Sequence, residues 1–216
     1  MSVSILCYIG LAAVLFVISA VCVSALLYRG KSNERYSLLN HFISELGELG
    51  VSRAARLFNT ALICGGLLLL PMIVGLALSF NSLPGWLGIL AGIVASLALT
   101  GVGVFPMNSL EAHSKAATTY FRAGLGMVVL FGLAVLFQPA ERREIPTWAS
   151  LFSLLAALCY ASFIFLSNPK DAAQNELDVI DLVSEKERPR FWLLPAVEWA
   201  IFFATILWLL VMALLV

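Results

Sequence analysis

A chain of 216 residues that is 61% hydrophobic and only 12% charged, with a mean hydropathy of +0.97, does not make a water-soluble domain. Thirteen basic and thirteen acidic residues cancel to a formal net charge of zero, so the overall charge selects no partner. No basic face with interleaved aromatics points to nucleic acid.

Six stretches exceed the roughly 18 apolar residues that a spanning helix needs. They lie at about residues 3–28, 54–80, 84–106, 115–138, 146–167 and 191–215. Backbone polar groups in such stretches must bond internally, and the short alternating strands of a β-barrel are absent. The expected fold is therefore all-α: one six-helix transmembrane domain over 1–216, with a short amphipathic helix between helices one and two.

Eleven of the thirteen basic residues fall in or beside the first, third and fifth connections: Arg29, Lys31, Arg35, Arg53, Arg56, Lys115, Arg122, Lys170, Lys186, Arg188 and Arg190. Only Arg142 and Arg143 lie on the other side. The positive-inside rule then makes the odd connections cytoplasmic and places both termini outside a cytoplasmic membrane. Helix one lacks the basic n-region of a signal peptide and reads as an uncleaved anchor. Cys7, Cys22, Cys64 and Cys159 all sit in apolar spans with no CxxC pair, which points to inert buried thiols.

After the charged hinge Arg29–Arg35, Ser37 can cap a short helix running to Gly47. Leu38, Leu39, Phe42, Ile43, Leu46 and Leu49 share one face, while Asn40, His41, Ser44, Glu45 and Glu48 share the other. That helix either lies at the interface with its polar side in water or offers the polar side to a cavity. Helices two and three are joined only by Asn81–Pro84 and must be antiparallel neighbours. Gly65, Gly66, Gly88 and Gly92 would let their backbones approach closely. Pro106 ends helix three, and Asn108, Glu111, His113 and Lys115 form a polar turn before helix four. The last odd connection, Asn168–Arg190, carries six acidic residues and a weak apolar stripe of Leu177, Ile180 and Val183, as a solvated surface helix would. Trp86, Trp148, Trp192, Trp199 and Trp208 supply candidate interfacial anchors.

Charge inside a span is expensive and is the first place to look for function. Arg122 and Glu198 lie at matching depth in helices four and six, so an ion pair between them is the economical expectation. Arg122 would otherwise hold an anionic headgroup, with Glu198 steadying it. His41 and His113, the only histidines, fall in connections on the same side, and each has a nearby carboxylate, Glu45 and Glu111. They are expected to meet in one pocket, where a hydrogen-bonded His–Glu pair or acid–base work near neutral pH are both available. A zinc held by His41, Glu45, Glu111 and His113 is the alternative; no metal or other cofactor is the primary expectation. Ser44 lies within a turn of His41 but no nucleophile elbow surrounds it.

The runs Asn40-His-Phe-Ile-Ser-Glu-Leu-Gly47, Phe58-Asn59 and Gly103-Val-Phe-Pro106, followed by His113, resemble an uncharacterised prokaryotic six-helix membrane family that carries a domain-of-unknown-function label. That family is in turn similar at a distance to the Frag/DRAM/Sfk group of eukaryotic membrane proteins. The resemblance covers all six spans and implies lipid handling by analogy. A second likeness, to membrane hydrolases with a three-histidine zinc, fails because this chain has two histidines.

The candidate ligand-binding set is thus His41, Ser44, Glu45, Asn108, His113, Arg122 and Glu198, with membrane lipid as the expected partner. A second copy of the chain or another membrane protein is a further candidate partner. A lipid-modifying enzyme, a small transporter and a structural subunit of a complex stand as alternatives. The topology is directly testable: cysteines placed at Ser2 and Asn33 should label from opposite faces of the membrane. Labelling of both from one face would overturn the assignment.

Overall fold

The computed structural model describes residues 2–143, 145–167 and 188–216. Among these residues there are no strands, and six helices are each long and apolar enough to cross a membrane. They are α1 (Val3–Leu27), α2 (Ala55–Phe80), α3 (Leu83–Val104), α4 (Leu110–Leu136), α5 (Ser150–Leu166) and α6 (Leu193–Leu215). The ends follow local chemistry. Ser2 and Ser82 accept from the amides of Ile5 and Gly85 at the starts of α1 and α3. Asn81 adopts the left-handed conformation that stops α2.

Two expected elements differ. Helix four begins at Leu110, so Glu111, His113 and Lys115 are helical rather than a polar turn. Pro106 opens a single 3-10 turn at Met107–Ser109, and Glu111 in the first turn suits the helix dipole and pairs with Lys115 four residues on. Between α1 and α2 the helix expected over 37–47 is cut to a 3-10 turn, Ile43–Gly47. Its polar side faces neither water nor an open cavity: Asn40, His41 and Glu45 are drawn into contacts with other elements, while Leu38, Leu39 and Leu49 are exposed. The stripe of Leu177, Ile180 and Val183, with the acidic residues beside it, lies outside the described residues.

Each helix packs on the next in sequence, and α6 returns to α1, so the six close a ring. Large side chains such as Leu15, Phe16, Leu67, Leu90, Leu97, Leu158 and Phe203 point outward, as the surface of a lipid-facing bundle requires. Close approach of α2 and α3 comes from glycine. A Cβ on Gly66 would stand 2.6 Å from the carbonyl oxygen of Ser96, and one on Gly92 would stand 2.6 Å from the Ile73 side chain.

Inside the ring are two apolar layers. One, nearer the end that carries the second and fourth connections, holds Met72, Leu76, Phe131, Val135, Tyr160, Trp208 and Met212 among others. The other, at the basic end that carries the first, third and fifth connections, holds Val21, Tyr28, Leu46, Phe58, Leu62, Val102 and Trp199. Trp199 and Trp208 are therefore interior residues and not interfacial anchors. Their indole N–H groups donate to Tyr36 Oη at 3.1 Å and Ser153 Oγ at 2.8 Å. Trp86 and Trp148 are exposed, where anchors belong.

Between the two layers, at mid-height, lies a cavity of about 80 Å³. Five helices line it, with Val14 and Val17 of α1, Leu62 and Leu69 of α2, Ser96 of α3, Tyr120 of α4 and Thr205 of α6 among the contributors.

Candidate functional site

The polar site is the basic end of the ring, where the first connection folds inward and is gripped from several sides. Its centre is Glu45, whose side chain is only 7% exposed. Arg188 approaches it with two parallel bonds, Nη1 to Oε1 at 3.0 Å and Nη2 to Oε2 at 2.7 Å. The backbone N–H of Phe42 donates to Oε1 at 2.9 Å. This is the fork-on-carboxylate geometry that arginine makes and lysine does not.

Backbone bonds reinforce the clamp. Arg188 Nη1 also reaches the Asn40 carbonyl at 3.2 Å, Asn40 Nδ2 donates to the Pro189 carbonyl at 2.9 Å, and Trp192 N–H donates to the Leu39 carbonyl at 2.8 Å. The chain entering α6 is thereby strapped to the middle of the first connection. Burial disfavours the Arg188 charge, but its bonds to Glu45 outweigh that, and its pKa is raised.

Glu198 completes the grip from α6. Its carboxylate accepts the Ile43 amide at 2.7 Å, satisfying a 3-10 turn amide that has no partner within the turn. The expected ion pair with Arg122 is not formed. Arg122 is exposed on α4 and has no acceptor among the described residues. Equal depth places two side chains at one level but says nothing about which way each helix turns them, and Arg122 falls on the outward side of α4.

His41 is buried between Tyr28 and Tyr36, with ring centroids 5.4 and 5.1 Å away. Its Nδ1 lies 2.7 Å from Asn40 Oδ1. Because the Asn40 amide nitrogen is committed to Pro189, that oxygen is an acceptor and Nδ1 carries the proton. The longer 3.3 Å approach of the Ser37 amide to the same nitrogen belongs to the other tautomer. Nε2 is then a buried acceptor with no partner among the described residues. Burial lowers the His41 pKa below its ordinary 6.5, with Glu45 pulling the other way and Arg188 adding to the depression. Burial likewise raises the hydroxyl pKa values of Tyr28 and Tyr36.

His113 does not join His41; no hydrogen bond connects them. Its Nδ1 donates to the Phe105 carbonyl at 2.7 Å, capping an orphan carbonyl at the end of α3. Glu111 is exposed and paired with Lys115 at 2.6 Å, so the alternative zinc set of His41, Glu45, Glu111 and His113 is not assembled. Asn108 has a positioning role: it exchanges two bonds with the Leu49 backbone, at 2.8 and 2.9 Å, fastening the third connection to the first. Ser44 makes no side-chain hydrogen bond among the described residues. The sequence reading missed Arg188, Asn40, Tyr28, Tyr36 and Asn59, whose Nδ2 donates to the Gly47 carbonyl at 2.9 Å.

Two predictions follow from the clamp. Arg188→Ala leaves the Glu45 carboxylate buried without a counter-charge. It should cost about 3 kcal/mol, the low end for a broken buried pair because a quarter of the Arg188 side chain is exposed. The double change Arg188→Met with Glu45→Gln should lose markedly less, measured by unfolding in detergent; equal losses would show that the pairing is not what matters.

The second concerns pH. A histidine whose folded pKa is depressed contributes its full stability above pH 6.5, and loses it as pH falls through the folded value, since the unfolded chain takes the proton first. Wild type should therefore soften as pH drops below that point, and His41→Gln should flatten that part of the profile.

Residues 11–215 match the family model described as "Protein of unknown function (DUF998)". No curated protein and no solved structure matches the chain, and the wider likeness to the Frag/DRAM/Sfk group has no counterpart among the matches. With nearly its whole length covered by that model, the chain belongs to the DUF998 family of proteins of unknown function.

Proposed function

We propose that the protein binds a membrane lipid inside the helix ring, with the clamped first connection as the closure of the basic end. The single observation that carries this reading is the mid-height cavity. It is lined almost wholly by apolar side chains from five helices, all of them long enough to span a bilayer. A molecule reaching it from the bilayer is hydrocarbon in that part.

The polar cluster is less suited to holding a headgroup than the sequence suggests, because its own groups satisfy one another: Glu45 with Arg188, Glu198 with Ile43, Asn108 with Leu49. Its fitting role is closure. Arg35, Arg53, Arg56 and Arg190 are exposed at the same end without carboxylate partners among the described residues, and would face the anionic headgroups of a cytoplasmic leaflet.

Filling the cavity tests the reading. Ala95 lines it and is buried. Ala95→Leu should reduce lipid retained after extraction several-fold by native mass spectrometry, while thermal stability is kept. Unchanged lipid with raised stability would mean an empty packing defect had been filled. In that case the structural-subunit reading takes over, favoured by the outward Arg122, which has no acceptor among the described residues, as a contact for an acidic group on another membrane protein.

A further inference from the structure

The cavity is not uniformly apolar. Tyr120, Tyr160 and Thr205 form a chain of hydroxyls across α4, α5 and α6: Thr205 Oγ1 donates to Tyr160 Oη at 3.0 Å, and Tyr160 Oη donates to Tyr120 Oη at 3.1 Å. Tyr120 and Thr205 also interact with each other, so the third proton of the cluster is shared between them or offered to a molecule in the cavity. Both of those residues line the cavity. Tyr160, in the middle, is fully buried.

Across the cavity stands an independent polar group. Ser19, Ser79, Thr100 and Thr119 return their hydroxyls to the carbonyl four residues back, the usual way of satisfying a hydroxyl in an apolar helix. Ser96 does not. It is 4% exposed, lines the cavity, and its Oγ has no hydrogen-bond partner among the described residues. A hydroxyl open to an apolar cavity gains a hydrogen bond when the oxygen of a bound molecule reaches it. No charged side chain lines the space among the described residues.

Resting on the reading that lipid enters the ring, we infer that this site recognises a neutral hydrocarbon molecule bearing one oxygen function, an ester carbonyl or a hydroxyl. The oxygen accepts from the hydroxyl chain or from Ser96, and the hydrocarbon fills the space beside Val14, Leu62 and Leu99. A charged carboxylate or phosphate is excluded, because nothing in the lining compensates it at this depth. A plain alkane fits the shape but gives the Ser96 hydroxyl no acceptor or donor. At about 80 Å³ the space holds only a few heavy atoms, so it reads the oxygen and its neighbouring methylenes and not the whole molecule.

The test uses the 216-residue chain in nanodiscs of ether-linked phospholipid, which supplies chains without ester carbonyls. Methyl laurate, dodecanol and tetradecane are titrated and the thermal midpoint is followed. Either oxygenated probe should half-saturate at about five-fold lower mole fraction than tetradecane, as one neutral hydrogen bond implies. Methyl laurate acting alone would identify an ester carbonyl, and dodecanol acting alone a hydroxyl. Ser96→Ala combined with Tyr120→Phe and Thr205→Val should erase that preference and leave the tetradecane response in place. Should the triple change fold poorly, Ser96→Ala alone should reduce the preference, and an undiminished preference in it would remove Ser96 from the recognition. Equal responses to all three probes in wild type would overturn the oxygen recognition while leaving lipid binding intact. No response to any probe, in wild type and in Ala95→Leu alike, would overturn both.

Discussion

The Glu45 carboxylate is the point on which the basic end of this molecule depends. Removing a carboxylate from water costs several kcal/mol, and here the cost is offset by a bidentate arginine and a backbone amide arriving from different parts of the chain. Each donor does a second job. Arg188 also holds the Asn40 carbonyl, and Phe42 begins the turn whose next amide is bonded to Glu198. A single buried charge thereby fixes the first connection against the start of α6, and with it the lid over the apolar layer of Val21, Phe58 and Trp199. The aromatic cage of Tyr28, Tyr36 and His41 packs around this charge and carries its own restraint, since Trp199 donates to Tyr36 from α6.

What the sequence made legible was whatever depends on composition alone. Helix count, span positions and the grouping of basic connections follow from hydrocarbon thickness and from the cost of unsatisfied backbone, and these act on each segment independently. Gly66 and Gly92 were readable for the same reason, as small residues in spans joined by a short link, whereas Gly65 and Gly88 turn instead to Val17 of α1 and Phe131 of α4. The misses all involve direction around a helix axis or pairing across long separations. Arg122 and Glu198 share a depth, but Arg122 turns outward and Glu198 inward to Ile43. His41 and His113 share an end, yet each is committed to a nearby backbone or amide oxygen. Arg188 was counted as one topogenic charge among eleven, because nothing local sets it apart from Arg190, which is exposed. Its partner lies 143 positions away.

The short connecting helix is the instructive failure. Its amphipathic pattern is clean, and an isolated segment with that pattern would lie on a membrane surface. The fold instead satisfies the polar residues one at a time with tertiary partners, and the helix is reduced to a single 3-10 turn that can turn Glu45, Leu46 and Gly47 inward together. Pattern alone could not reveal this, because the groups that outbid the helix belong to α2 and to the approach to α6.

The two polar systems of the bundle differ in a way that bears on ligand chemistry. Full charges are gathered at the basic end, where Arg188 keeps part of its side chain accessible and where opening the clamp would return both partners to water. At mid-height only hydroxyls occur in the cavity wall, because a group there must be tolerable to hydrocarbon when nothing is bound. A hydroxyl cluster meets that demand: its members bond to one another, and so it costs little in an apolar surrounding. Polar groups of this kind are tolerated by hydrocarbon when nothing is bound, whereas the buried carboxylate at the basic end needs the Arg188 fork beside it.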